Sequence, residues 1–246
     1  MIRVGKVAYT NTIPLFYSLR GFEVVEGHPT ELVKLLREGG IDAGIVSSVE
    51  YFFNPEDYLV LPDVSISSVR KVCSVLLLSK VPIEEVRRVK ITPLSLTSRY
   101  LLLYILRKGY SVNPEEVTHG EDAFLCIGDE ALDLRKKTPY VYDLGEEWNR
   151  LTGLPFVFAL FLVRREVPGS YIAELLEGIR RSLKDFFSDL KAGRFKAPGG
   201  VPDNYFSECI DYNLGEEHLT SLRLFFEFMT EETGRPVPRT ISLFRP

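Results

Sequence analysis

Apolar and polar positions change period several times along this chain, and each change marks an element. Residues 2–8 alternate and predict a first strand, closed by the polar turn Tyr9-Thr10-Asn11 where a helix opens. The order continues as helix, strand, helix, strand. Leu32, Val33, Leu35 and Leu36 give residues 29–38 one apolar face, Gly39-Gly40 stops that helix, and 41–46 reads as a short buried strand ending in Ser47-Ser48. Residues 49–53 predict a short helix. Strands at 59–61 and 73–79 follow, the second apolar enough at Val75-Leu76-Leu77-Leu78 to be central, with Pro82 beyond it.

A second α/β unit begins there, with a strand at 89–91, a hydroxyl-rich loop at 92–98 and a helix at 99–108 ended by Gly109. Strands at 124–127 and 140–144, a turn at Gly128-Asp129, a helix at 146–152 and an apolar strand at 156–163 complete it. Beyond Pro168 the period becomes helical: Ile172, Leu175, Leu176, Ile179, Leu183, Phe186, Phe187 and Leu190 line one face of a long helix. A loop at 193–201 and a closing amphipathic helix around Leu219, Leu222, Phe226 and Met229 finish the chain. The expected fold is α/β in two lobes, residues 1–79 with 164–246 forming the first and 80–163 an inserted second. The chain then crosses twice, at hinge strands near Ser74–Ser79 and Phe158–Val163, and a ligand cleft lies between the lobes.

Composition narrows the function. With 246 residues and 45% hydrophobic content the chain can bury a sizeable core. A net charge of -4, with its basic dipeptides scattered, gives no footprint for nucleic acid. Neither a membrane span nor a secretory leader is legible, so the expectation is a cytoplasmic protein. Cys73, Cys126 and Cys209 are odd in number and widely spaced, and are expected to be small buried hydrophobes rather than a disulfide framework or zinc site.

The candidate chemistry lies at strand ends, where α/β sheets collect ligands and helix N-termini offer N–H groups to anions. Asn11 can donate and accept there without carrying charge. Tyr9, Ser47, Ser48, Ser74, Ser95, Thr97 and Ser98, with a further hydroxyl-rich turn at Ser65–Ser68, add neutral groups suited to a small organic anion. Asp129 is the best-placed carboxylate, as ligand or helix cap. His28, His119 and His218 read as loop or cap residues, and no nucleophile elbow, phosphate loop or metal-ligand spacing occurs, so no metal and no cofactor is expected.

Several of these segments fall in the order of a known family: Tyr9-Thr10-Asn11-Thr12-Ile13-Pro14-Leu15, Val46-Ser47-Ser48-Val49-Glu50-Tyr51, Leu61-Pro62-Asp63 through Ser68, and Ser74-Val75-Leu76-Leu77-Leu78-Ser79. Thr92 through Ser98, Ile127-Gly128-Asp129-Glu130-Ala131-Leu132 and Tyr142-Asp143-Leu144-Gly145-Glu146-Glu147-Trp148 continue the match. Together they resemble the chorismate dehydratases of the futalosine route to menaquinone. The resemblance implies a type II periplasmic-binding-protein fold used as a cytoplasmic enzyme that dehydrates chorismate to 3-[(1-carboxyvinyl)oxy]benzoate. It assigns catalysis to Asn11 and Ser74, and a substrate carboxylate to Thr97-Ser98. Thr10 stands where the family carries a larger apolar residue, and Lys71-Val72 replaces a frequent Gly-Pro. No protein base is visible in the sequence. A substrate carboxylate is therefore expected to take the proton, with Asp129 and Glu50 as alternative bases. A non-catalytic small-anion sensor and a 1,4-dihydroxy-6-naphthoate synthase-like enzyme are the other functions the sequence admits.

Overall fold

The computed structural model describes residues 2–198, 201–202 and 204–245. Two five-stranded sheets carry the architecture. The first contains β1 (Arg3–Val7), β2 (Glu23–Gly27), β3 (Ala43–Ser47) and β4 (Tyr58–Ser68), together with a late strand. The second contains β5 (Val75–Ser79), β6 (Arg88–Ile91), β7 (Glu115–Glu116), β8 (Ala123–Ile127) and β9 (Tyr140–Asp143). The late strand of the first sheet is β10 (Phe156–Arg164), and the orders are β2-β1-β3-β10-β4 and β7-β6-β8-β5-β9.

The two sheets are built alike. Three strands run parallel in each, and the strand that enters from the other lobe, β10 in the first and β5 in the second, lies antiparallel beside them. This pairing moves the lobe boundary from where the sequence pattern put it. Val75–Ser79 belongs to the second sheet and Phe156–Val163 to the first, so the crossings are residues 69–74 and 153–155, just before these strands. The physical reason is pairing: Leu76–Leu78 and Leu160–Leu162 are fully buried and would suit either sheet, and their hydrogen-bonded partners on both sides decide which they join.

Helices cover the sheets. They are α1 (Ile13–Phe16), α2 (Pro29–Glu38), α3 (Val49–Phe53), α4 (Leu96–Tyr104), α5 (Asp129–Leu134), α6 (Leu144–Thr152), α7 (Gly169–Lys191) and α8 (Glu216–Thr233). Helix α2 follows its capping logic, with His28 as N-cap, Pro29 at the first position and Gly39 left-handed (φ 75°) at the C-cap. The long α7 packs on α1 of the first lobe, and α8 packs on β10 and on α4, touching both lobes. Trp148 on α6 is fully buried against Tyr104, Phe156 and Phe225 and donates its indole N–H to Ser221 Oγ on α8 at 3.0 Å. Gly199 and Gly200, in the loop after α7, lie outside the described residues.

Two expectations are corrected here. Ser65–Ser68 is not a turn but the end of β4, because its backbone pairs on both sides, with β10 and with residues 211–212. Ser65 Oγ and Ser67 Oγ lie 2.5 Å apart, and the backbone of 65 and 67 pairs with 211–212. Cys73 and Cys209 are not isolated hydrophobes: they form a disulfide across 136 residues of sequence, a proximity that linear spacing does not reveal. Cys126 is the free, buried thiol, pushed up to about 12 by burial and by Glu130.

Candidate functional site

Parallel strands β1, β3, β6 and β8 all point their carboxyl ends at the gap between the sheets, while antiparallel β5 and β10 bring their first halves to it. A cavity open to solvent occupies that gap. Tyr9, Asn11, Ser47, Ser74, Ser95 and Ser98 line it, with Thr12, Ile66, Val75, Gly128 and Phe158 among their neighbours. Among the described residues none that lines it is charged.

Asn11 sits in the single 3-10 turn Thr10–Thr12 that follows β1. Thr12 holds this turn by donating its hydroxyl to the Val7 carbonyl at 2.8 Å, and the buried phenol of Tyr212 donates to the Asn11 carbonyl at 2.8 Å. Burial drives the Tyr212 phenol well above its ordinary range, so it remains a donor. The backbone of Asn11 is thus fixed while its side-chain Oδ1 is buried with no hydrogen-bond partner among the described residues. A buried acceptor left unpaired costs about 1–3 kcal/mol, which a bound O–H or N–H donor would recover.

Ser74 is presented by a strained turn. Cys73 is left-handed (φ 64°), a conformation that non-glycine residues adopt only when held. Asp143, the N-cap of α6, holds it: its carboxylate accepts the N–H groups of Val72 at 3.0 Å and Cys73 at 2.7 Å as well as those of Gly145 and Glu146. Burial raises the Asp143 pKa, and the hydrogen bonds from Val72, Cys73 and Glu146 oppose that rise. The disulfide to Cys209 anchors the same turn from the other side. Ser74 Oγ then lies 2.8 Å from the phenol oxygen of Tyr205.

On the opposite wall Ser95 caps α4, accepting from Ser98 N at 3.2 Å, with the two hydroxyls 3.0 Å apart. Thr97 and Ser48 do not line the cavity. Thr97 is fully buried behind it, where its Oγ1 meets Ser47 Oγ at 2.6 Å, Ser48 Oγ at 3.2 Å and the Val49 N–H at 3.2 Å, joining the two lobes. Asp129 is exposed beside the rim, where it accepts the Thr10 hydroxyl at 3.1 Å. It is the first residue of α5 rather than its cap. That cap is Gly128, left-handed (φ 70°), where a Cβ would come within 3.0 Å of the Tyr9 ring. Burial, then Asp129 and Glu130, raise the Tyr9 phenol, which keeps it a neutral donor.

Glu50 is away from the cavity and committed. Its carboxylate takes two bonds from Arg37, at 2.8 and 2.5 Å, one from Asn54 at 2.8 Å and one from Tyr58 at 3.0 Å, leaving it unavailable as a base. Sequence reasoning missed Tyr205, Tyr212, Asp143 and Phe158. The first two sit in what reads as a featureless segment, and for Asp143 only its place in the quoted motif Tyr142-Asp143-Leu144-Gly145 could have drawn attention to it. Among the described residues no three His, Cys, Asp or Glu side chains gather as metal ligands would.

The profile of a family described as menaquinone biosynthesis matches residues 2–231. A chorismate dehydratase from Thermus thermophilus is 33% identical over 192 residues, 67% of this chain and 70% of that protein. One from Campylobacter jejuni is 33% identical over 168 residues, 64% of this chain and 65% of that protein. Among solved structures, the periplasmic aliphatic sulphonate binding protein SsuA from Escherichia coli superposes with a TM-score of 0.66 at 16% identity, covering 100% of this chain and 92% of that one. That likeness places the two-sheet architecture among periplasmic-binding-protein folds.

Proposed function

Because the chain belongs to the menaquinone biosynthesis family, we propose that it is a chorismate dehydratase, a carbon–oxygen hydro-lyase working in the cleft between its two sheets. The observation that carries the assignment to this site is the unpaired, buried Oδ1 of Asn11 in a cavity walled by neutral donors. Chorismate offers two carboxylates, a hydroxyl and an enol ether. Ser95 and Ser98 at the N-terminus of α4, Ser47 and the Tyr9 phenol supply donors for the carboxylates, with Thr97 bracing Ser47 from behind. Phe158, Ile66 and Val75 supply apolar contact for the ring.

Dehydration breaks the C3–H bond, whose electron pair becomes the new ring double bond as the C4–O bond breaks, and the departing hydroxide takes up a proton to leave as water. Aromatisation drives the step, so the protein must orient, stabilise developing charge and exclude water. Among the described residues no carboxylate lines the cavity, and both protein alternatives are poorly suited to the role: Glu50 is spent on Arg37, and Asp129 is at the exposed rim. A carboxylate of the substrate itself takes the C3 proton and returns it to the leaving oxygen. Asn11 Oδ1 accepts from the C4 hydroxyl and holds it in line, and Ser74 donates to the oxygen as charge builds on it. The reading places this reaction in the cytoplasm.

None of His28, His119 and His218 lines the cavity, which weighs against the naphthoate-forming activity. His218 is occupied: its Nδ1 accepts the Gly215 N–H at 3.2 Å and its Nε2 donates to Asp211 at 2.9 Å. The test is incubation of the purified protein with chorismate, following aromatic product by absorbance and its mass by spectrometry. Loss of one water with formation of the carboxyvinyloxybenzoate is expected. Saturable binding without turnover would identify a sensor instead.

A further inference from the structure

Tyr205 touches no part of the cavity, yet its phenol is one of two buried phenols that reach the residues assigned to catalysis. It opens the short helical turn Tyr205–Cys209, is 2% exposed, and packs edge-on against Phe206. The hydroxyl makes one hydrogen bond among the described residues, to Ser74 Oγ at 2.8 Å. A buried O–H must donate to something, and Ser74 Oγ is the acceptor in reach. Burial also raises the phenol pKa, so the proton stays on Tyr205 across the working range of the protein.

That donation narrows the direction of the Ser74 hydroxyl. A serine has one proton and two lone pairs. With one lone pair occupied by Tyr205, the Ser74 proton is left to point either at the Val72 carbonyl, at a long 3.3 Å, or into the cavity that Ser74 lines. Accepting a bond also polarises the Ser74 O–H and strengthens it as a donor. The Cys73–Cys209 disulfide ties the turn bearing Tyr205 to the turn bearing Ser74, which keeps the two oxygens in register.

We propose that Tyr205 is a positioning residue for the dehydration: by donating to Ser74 Oγ it presets Ser74 as a hydrogen-bond donor toward the leaving oxygen of the substrate. The inference rests on the chorismate dehydratase reading of the cleft. Its test is a double-mutant cycle of wild type, Tyr205→Phe, Ser74→Ala and the double variant, with kcat and KM for chorismate and circular dichroism measured on each preparation. Tyr205→Phe is expected to lower kcat about tenfold while KM stays within about twofold, and to have no further effect on kcat when Ser74 is already alanine. Wild-type kcat in Tyr205→Phe, or an equal loss in both backgrounds, overturns the inference while leaving the dehydratase reading in place. A wild-type protein that does not convert chorismate ends both. Should Tyr205→Phe fail to fold, 3-fluorotyrosine at 205 preserves the packing and acidifies the phenol. A change in kcat of about twofold at constant KM then supports the relay, and an unchanged kcat overturns it.

Discussion

Asn11 combines a rigidly held backbone with a buried amide oxygen that has no partner among the described residues, and the two facts together separate a working residue from a turn residue. A turn asparagine bonds its own backbone neighbourhood. Asn11→Asp keeps the shape and the acceptor, so it is expected to retain activity roughly tenfold or more above Asn11→Ala in a steady-state assay. Ser74→Ala should cost about 10²–10³ in kcat, the scale for losing a donor aimed at developing charge. The Thr10 hydroxyl bonds Asp129 across the rim at 3.1 Å. Thr10→Val should leave kcat within about threefold while weakening substrate affinity, because one neutral-to-charged hydrogen bond between lobes is lost.

Elements were legible from periodicity wherever an apolar face was regular. The strands expected at 2–8, 124–127 and 156–163 stand at Arg3–Val7, Ala123–Ile127 and Phe156–Arg164, and the long helix expected beyond Pro168 is α7. What could not be read was pairing across distance. Val75-Leu76-Leu77-Leu78 looks the same whether it ends one sheet or begins another, and only its partners β8 and β9 decide. The segment at 205–213 has no period, yet it supplies both buried phenols, one cysteine of the disulfide and an added partner for β4. Reducing that disulfide, or replacing Cys73 and Cys209 by serine, frees a long loop in the unfolded chain and should cost about 2–5 kcal/mol, read as a lower midpoint in denaturant. The same segment carries an acid-sensitive contact. Burial raises the Asp211 carboxyl, but bonds from His218 and Asn213 outweigh it and leave the pKa below its ordinary value. A depressed carboxylate stabilises the fold above its unfolded pKa of about 3.9 and loses that contribution as pH falls through the folded value. Asp211→Asn should therefore flatten the loss of melting temperature below about pH 4.

At the scale of the whole molecule, the lobes meet across the cleft through Thr97 with Ser47 and Ser48 at its back and Thr10 with Asp129 at its mouth, and away from the cleft Trp148, Arg107 and Lys108 bond Ser221, Glu232 and Glu231 of α8. Ligand must enter between the lobes, so the contacts across the cleft are expected to part on opening and to re-form on substrate. Solution scattering should show a smaller radius of gyration with product bound, and the amides around Thr97 and Ser98 should exchange more slowly. Among the described residues no helix is long and apolar enough to cross a membrane. The account turns on one claim, that chorismate is dehydrated in this cleft by way of Asn11. Its most direct test is the time course of chorismate conversion by wild type and Asn11→Ala at equal folded concentration, with product binding measured on both. The account predicts carboxyvinyloxybenzoate from the wild type and, from Asn11→Ala, retained binding with conversion at least about 10²-fold slower. Conversion by Asn11→Ala at the wild-type rate would contradict it.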